Sequence, residues 1–188
     1  MTKKLLALTV LAVALAACTT PAPSAPRPGV TVSPAPATSA AAPAASPTAG
    51  GSTDAAACVA GSGDLVVAAG TTCELTGGAV GGNVEVRQGA TFIATDLRVD
   101  GNIQGEGHAA VRVSGGSVDG NIQLERGGEA VVSGVAIDGD LQAEGNTGAQ
   151  EFSGNTVDGN LQCEGNDPAP TGSGNTVSGD KEGQCAGL

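Results

Sequence analysis

VDGNIQ at residues 99–104 returns as VDGNIQ at 118–123, IDGDLQ at 137–142 and VDGNLQ at 157–162. The glycine of each copy belongs to a longer series, Gly82, Gly101, Gly120, Gly139, Gly159 and Gly179, spaced by 19 or 20 residues and each followed by Asn or Asp. A fixed period of this length identifies one supersecondary unit wound repeatedly, and it outranks any local reading of helix or strand.

Within that frame the glycine is position 1. Position 3 is apolar in Val84, Ile103, Ile122, Leu141 and Leu161, and moving the frame back 19 residues meets Gly63, Asp64 and Leu65, so seven turns are expected. Position 5 holds Val67, Val86, Gly105, Leu124, Ala143 and Cys163. Between and beyond these inward positions stand Gln104, Gln123, Gln142 and Gln162 at position 4, and Glu106, Glu125, Glu144 and Glu164 at position 6. The alternation has period two, the pattern of a half-buried strand. A second apolar stack precedes the glycine (Val80, Val99, Val118, Ile137, Val157, Val177), and a third includes Cys73, Phe92, Val111 and Ala130. Three short strands per turn, separated by Gly, Asn and Ser corners, describe an all-β right-handed parallel β-helix. Left-handed hexapeptide helices prefer multiples of six, and abundant glycine and β-branched residues disfavour α-helices. At about 4.8 Å per turn the rod would be near 34 Å long. The glycines are expected at corners of positive φ, and Asn83, Asn102, Asn121 and Asn160 are expected to stack and hydrogen-bond along the axis.

Both ends of such an array must be closed, because an uncovered turn offers unpaired strand edges. Lys181 replaces the apolar residue at position 3 of the last repeat, and Asp167-Pro168-Ala169-Pro170 removes ladder donors nearby. A monomer is expected.

The N-terminus points to export. Lys3 and Lys4 precede an apolar run from Leu5 to Ala14, too short for a membrane-spanning helix and suited to the core of a secretory leader. Residues 19–57 are almost wholly Pro, Ala, Ser, Thr and Gly and hold eight of the ten prolines. Such a segment has little apolar surface to bury and is expected to be disordered; in polyproline form its 39 residues would reach on the order of 120 Å. The chain thus divides into a leader (1–17), a linker beginning at Cys18 (18–57) and a β-helix domain (58–188).

That domain has Phe92 and Phe152 but no Trp or Tyr in the whole chain. Removing Lys3 and Lys4 with the leader takes the formal charge from −11 to −13. So acidic a protein is a poor partner for nucleic acid or anionic polymers, which are bound chiefly through Lys and Arg. Beyond Cys18 the cysteines are Cys58, Cys73, Cys163 and Cys185, and three disulfide pairings are possible. The favoured pairing is Cys58 with Cys73 and Cys163 with Cys185, since each pair lies at one end of the array and closes a short loop. Metal ligation is the alternative, but the chain has no CxxC, and its one histidine, His108, lies far from all four cysteines along the chain.

Leu15-Ala16-Ala17-Cys18 resembles the bacterial lipoprotein lipobox. The resemblance implies that Cys18 becomes the lipidated first residue of an extracytoplasmic protein held in the cell membrane by two or three acyl chains. The G-N/D-[ILV] turns resemble bactofilins, polymer-forming cytoskeletal β-helices, over about residues 80–165. A closer similarity is to uncharacterised actinobacterial-type lipoproteins, in which VxGNxQ turns precede a tail like NLQCEGNDPAPTGSGNTVSGDKEGQC (160–185). That group carries no established activity.

Polysaccharide lyases share the right-handed β-helix, and in them acidic residues hold calcium beside a basic residue. Here Glu106, Glu125, Glu144 and Glu164 run beside Asp100, Asp119, Asp138 and Asp158, rows suited to calcium if cations bridge them and otherwise a solvated face produced by duplication of the turn. A catalytic centre breaks a repeat at one place. The pattern-breaking residues Arg87, Arg98, Arg112, Arg126 and His108 form no recognisable motif, and His108 reads as a loop residue. No nucleophile elbow or P-loop is present. The expected role is therefore non-catalytic and without cofactor or metal: a structural or interaction protein of the envelope, with a glycan- or calcium-binding polar strand face as the alternative. Envelope protein or glycan are the expected partners besides the membrane.

Overall fold

In the computed structural model the described residues are 58–188. The leader, Cys18 and the linker lie outside them. Among the described residues every regular element is a strand. The first winding is β1 (Leu65–Val67), β2 (Thr72–Thr76) and β3 (Ala79–Val80); the second is β4 (Val84–Val86), β5 (Thr91–Thr95) and β6 (Arg98–Val99). The third follows with β7 (Ile103–Glu106), β8 (Ala110–Ser114) and β9 (Ser117–Val118), and the fourth with β10 (Ile122–Glu125), β11 (Glu129–Ser133) and β12 (Ala136–Ile137). The fifth is β13 (Leu141–Glu144), β14 (Gln150–Ser153) and β15 (Thr156–Val157). The sixth has β16 (Leu161–Glu164) and β17 (Thr176–Val177), with a single bridge between Glu151 and Thr171 in place of a middle strand. A closing strand, β18 (Lys181–Gly183), begins a seventh winding that is not completed, so about six turns are built rather than seven.

Every pairing is parallel and joins one winding to the next, giving sheets of seven, five and six strands. This is a parallel β-helix, and parallel connections of this kind are almost always right-handed. Register follows the sequence frame: Ile122 lies opposite Ile103 and Leu141, and Val111 opposite Phe92 and Ala130. Like residues therefore stack, and each column is hidden from water only by its neighbours along the axis. Val84, Ile103, Ile122, Leu141 and Leu161 are fully buried, as are Phe92, Val111 and Ala130, and Val80, Val99, Val118, Ile137 and Val157 are buried as well. Burying one such Val, Ile, Leu or Phe contributes roughly 1.5–3 kcal/mol. The period-two reading passes over a parallel column in the second sheet, Leu75, Ala94, Val113, Val132 and Phe152, all buried.

The signature glycines have a different basis from the expected positive φ. None of Gly82, Gly101, Gly120, Gly139, Gly159 and Gly179 is among the positive-φ residues. A Cβ on Gly101 would stand 2.7 Å from both the Gly82 carbonyl oxygen and the Asn83 Oδ1. The glycine is needed because the preceding winding's backbone and carboxamide come so close. That carboxamide belongs to a ladder: Asp64 Oδ1 accepts the Asn83 N–H at 2.6 Å, Asn83 Oδ1 that of Asn102 at 3.0 Å, and Asn102 Oδ1 that of Asn121 at 2.8 Å. It continues through Asp140, Asn160 and Asp180.

The disulfides are Cys58–Cys73 and Cys163–Cys185, one at each end. At the C-terminal end Lys181 donates from Nζ to the carbonyls of Asn175 and Leu188, and Gln184 Oε1 accepts the Asn166 N–H at 2.9 Å. At the other end Gly81 donates to the Gly61 carbonyl at 2.8 Å. Among the described residues the two large exposed hydrophobic residues, Val59 (63 %) and Val66 (43 %), are both at this end.

Candidate functional site

The outer face of the seven-stranded sheet carries the rows expected from sequence. Gln104, Gln123, Gln142 and Gln162 lie directly opposite one another, and so do Glu106, Glu125, Glu144 and Glu164. One amide pair is closed, Gln142 Nε2 donating to Gln162 Oε1 at 3.2 Å. The carboxylate row is unevenly neutralised. Arg126 reaches Glu106 at 2.8 Å and Glu125 at 3.1 Å, while Glu144 and Glu164 have no ion-pair partner among the described residues. In the aspartate row Arg98 spans Asp100 at 2.7 Å and Asp119 at 2.6 Å. Hydrogen bonding to these carboxylates, Asp100 first for Arg98 and Glu106 for Arg126, raises both guanidinium pKa values above their ordinary range. Among the described residues no group of three or more His, Cys, Asp or Glu side chains is placed to hold a metal ion.

A groove of about 780 Å³ runs across windings two to four on this face, lined among others by Glu85, Arg87, Gln104, Gln123, Glu125 and Arg126. Arg87 is paired within it to Glu85 at 3.0 Å. Arg126 has φ 50°, whereas the hydrogen-bonded ladder at this corner otherwise holds the positive-φ glycines Gly70, Gly89, Gly107, Gly145 and Gly165. The left-handed conformation costs a residue with a Cβ about 1–2 kcal/mol, so the arginine is retained against the backbone's preference.

His108 is a core residue, not the loop residue expected. It is 2 % exposed, and neither ring nitrogen meets a hydrogen-bond partner. The ring occupies space left by two glycines: a Cβ on Gly105 would stand 2.9 Å from Nδ1, and a Cβ on Gly127 would collide with the ring. Burial pushes its pKa below the usual 6.5, with backbone groups at Gly105 and Glu129 opposing only in part. The unfolded chain therefore binds this proton more readily than the folded one. Stability is fully present above about pH 6.5 and is lost as pH falls, by up to about 1.4 kcal/mol per pH unit for one proton, until the folded pKa is passed. His108→Asn, which places here the residue carried by Asn146 and Asn166, is expected to remove that part of the slope. Thermal melts between pH 7.5 and 5.5 check this; equal slopes in both proteins would refute it.

Sequence reasoning also passed over the buried amides. Asn146 and Asn166 form one internal ladder and Asn155 and Asn175 another, each side-chain N–H₂ donating to a backbone carbonyl: Leu124, Ala143, Val132 and Phe152 respectively. Their signal was the Gly-Asn pairs at 145–146, 154–155, 165–166 and 174–175, which repeat at 20 residues.

Comparison of the chain with protein-family models, with curated proteins and with solved structures finds no match.

Proposed function

We propose that the chain is a non-catalytic envelope lipoprotein that displays a rigid acidic β-helix outside the membrane through the segment beginning at Cys18. The observation that carries the reading is the pair of disulfides closing the solenoid at its two ends, Cys58–Cys73 and Cys163–Cys185. Such bonds persist in oxidising, extracytoplasmic compartments. The lipobox-like Leu15-Ala16-Ala17-Cys18 supplies the anchor, and attachment by two or more acyl chains makes it stable. A non-catalytic role is supported by the site chemistry: the outward Gln and Glu recur in four successive windings, and the pattern-breaking arginines Arg87, Arg98, Arg112 and Arg126 are each tied to carboxylates.

The test is fractionation of cells expressing the wild type and Cys18→Ser. The wild type is expected in the membrane fraction, and the variant in the soluble extracytoplasmic or secreted fraction with both disulfides formed. Equal membrane retention of the two would end the lipid-anchor reading, and free thiols in the mature wild type would end the assignment to an oxidising compartment.

A further inference from the structure

The groove lies where the repeat changes its first corner, between windings two and three; a second change, one inserted residue between Glu144 and Gln150, lies outside it. In windings one and two the positive-φ glycine stands three residues after the last inward residue (Val67 to Gly70, Val86 to Gly89). From winding three onward it stands two residues after (Gly105 to Gly107, Ala143 to Gly145, Cys163 to Gly165). The ladder nevertheless runs through the change: Gly89 N–H donates to the Gly107 carbonyl at 2.8 Å, and Gly107 N–H to that of Glu125 at 2.9 Å. Winding two thus has one more residue before its corner glycine and one fewer after it than winding three, and the groove spans that step. A uniform solenoid face has no such feature.

Arg126 stands within this groove at a position that the other windings give to glycine. Backbone outliers of this kind collect at ligand sites, where the side chain is kept for its function. The surrounding charges decide which ligand fits. An anion is disfavoured: the groove's two arginines, Arg87 and Arg126, are tied to carboxylates, and three glutamates face them (Glu85, Glu106 and Glu125). A hard cation is disfavoured for the converse reason. Those glutamates are engaged by arginine, and among the described residues no group of three His, Cys, Asp or Glu is gathered for a metal. What remains is a mixture of amide and guanidinium donors with carboxylate and amide acceptors, Gln104 and Gln123 following Glu85 in one column and Arg126 in the same winding as Gln123. A hydroxyl both donates and accepts, so a row of hydroxyls satisfies both kinds of group without net charge.

We infer that this groove binds a neutral oligosaccharide laid along the solenoid axis, with Arg126, Gln104 and Gln123 as its principal contacts. The windings repeat at about 4.8 Å, close to the advance of one pyranose in an extended chain, so successive sugars meet successive members of the column Glu85, Gln104 and Gln123. Without aromatic stacking the affinity is modest, in the millimolar range. The inference does not depend on the lipid anchor and stands or falls separately from it.

The test is a nuclear magnetic resonance titration of the full chain with maltohexaose, cellohexaose and chitohexaose, and with hexagalacturonate and calcium chloride as charged comparisons. At least one neutral sugar is expected to shift the backbone amides of Gln104, Gln123 and Arg126 saturably. Arg126→Gly, which gives the backbone the residue it prefers, should keep or raise the melting temperature and weaken binding about tenfold, the loss of one good charged contact. Arg98→Gln, on another sheet, should bind as the wild type does. The inference is overturned by silence toward all three neutral sugars at tens of millimolar, by unchanged binding in Arg126→Gly, or by a response confined to hexagalacturonate or calcium.

Discussion

Asn155→Ala is expected to destabilise the domain by roughly 3–5 kcal/mol, several times the effect of removing an asparagine from the outer ladder. Asn155 is 1 % exposed. Its Oδ1 accepts the Val135 N–H at 3.0 Å, and its Nδ2 donates to the Val132 carbonyl at 2.8 Å and to Asn175 Oδ1 at 3.0 Å. Truncation leaves the Val135 N–H of the corner and the Val132 carbonyl of β11 without these partners inside the coil, where each unsatisfied group costs about 1–3 kcal/mol, and it opens a cavity besides. The comparison is Asn121→Ala. Asn121 accepts the Asp140 N–H at 2.7 Å on a partly exposed corner. Water replaces that partner, so about 1 kcal/mol is expected there. Urea unfolding followed by circular dichroism measures both, and similar losses at the two sites would show that the internal amides are not load-carrying.

This contrast locates what could be read in the linear chain. The columns of Val, Ile and Leu, the Gln and Glu rows and the pairing of cysteines by end all follow from the period, because parallel winding converts a sequence interval into a spatial stack. What escaped depends on relations across windings that no single turn states. His108 is buried only because Gly105 and Gly127 leave room on either side of its ring. The signature glycines looked like turn residues, yet their need is set by Asn83 and its equivalents on the preceding winding. Of the candidate site, the addresses of Gln104 and Glu106 were readable. Their neutralisation by Arg126 was not, since arginine occupies that column in one winding alone. The groove arises from a shift of one residue between corners, invisible while turns are aligned on their glycines.

Loss of the two disulfides is the second large effect, and its pattern matters more than its size. Cys58 and Cys73 are 15 residues apart and Cys163 and Cys185 are 22 apart, so each bond contributes roughly 3 kcal/mol in the chain-entropy model. The bonds sit at opposite ends with no shared partners, so their effects should add to about 6 kcal/mol, comparable with the whole stability of many domains. A solenoid is held by nearest-neighbour interfaces, and its ends have only one neighbour each. The C-terminal end is the more dependent on its bond. Lys181 occupies the column that Leu161 and Leu141 fill in earlier windings, so β18 lacks their apolar burial and is attached by ladder hydrogen bonds, the Lys181 Nζ bond to the Asn175 carbonyl, the Gln184 contacts and the buried Cys185. Cys163→Ser/Cys185→Ser is therefore expected to raise hydrogen exchange first in β18 and β16. Cys58→Ser/Cys73→Ser should raise it in β1 and β2, and β8 to β11 should stay protected in both. Exchange rising evenly through all windings would mean that the coil opens as one unit and that the ends do not fray separately. A stability change below about 1 kcal/mol in either variant would mean that the hydrogen-bonded caps alone close the rod.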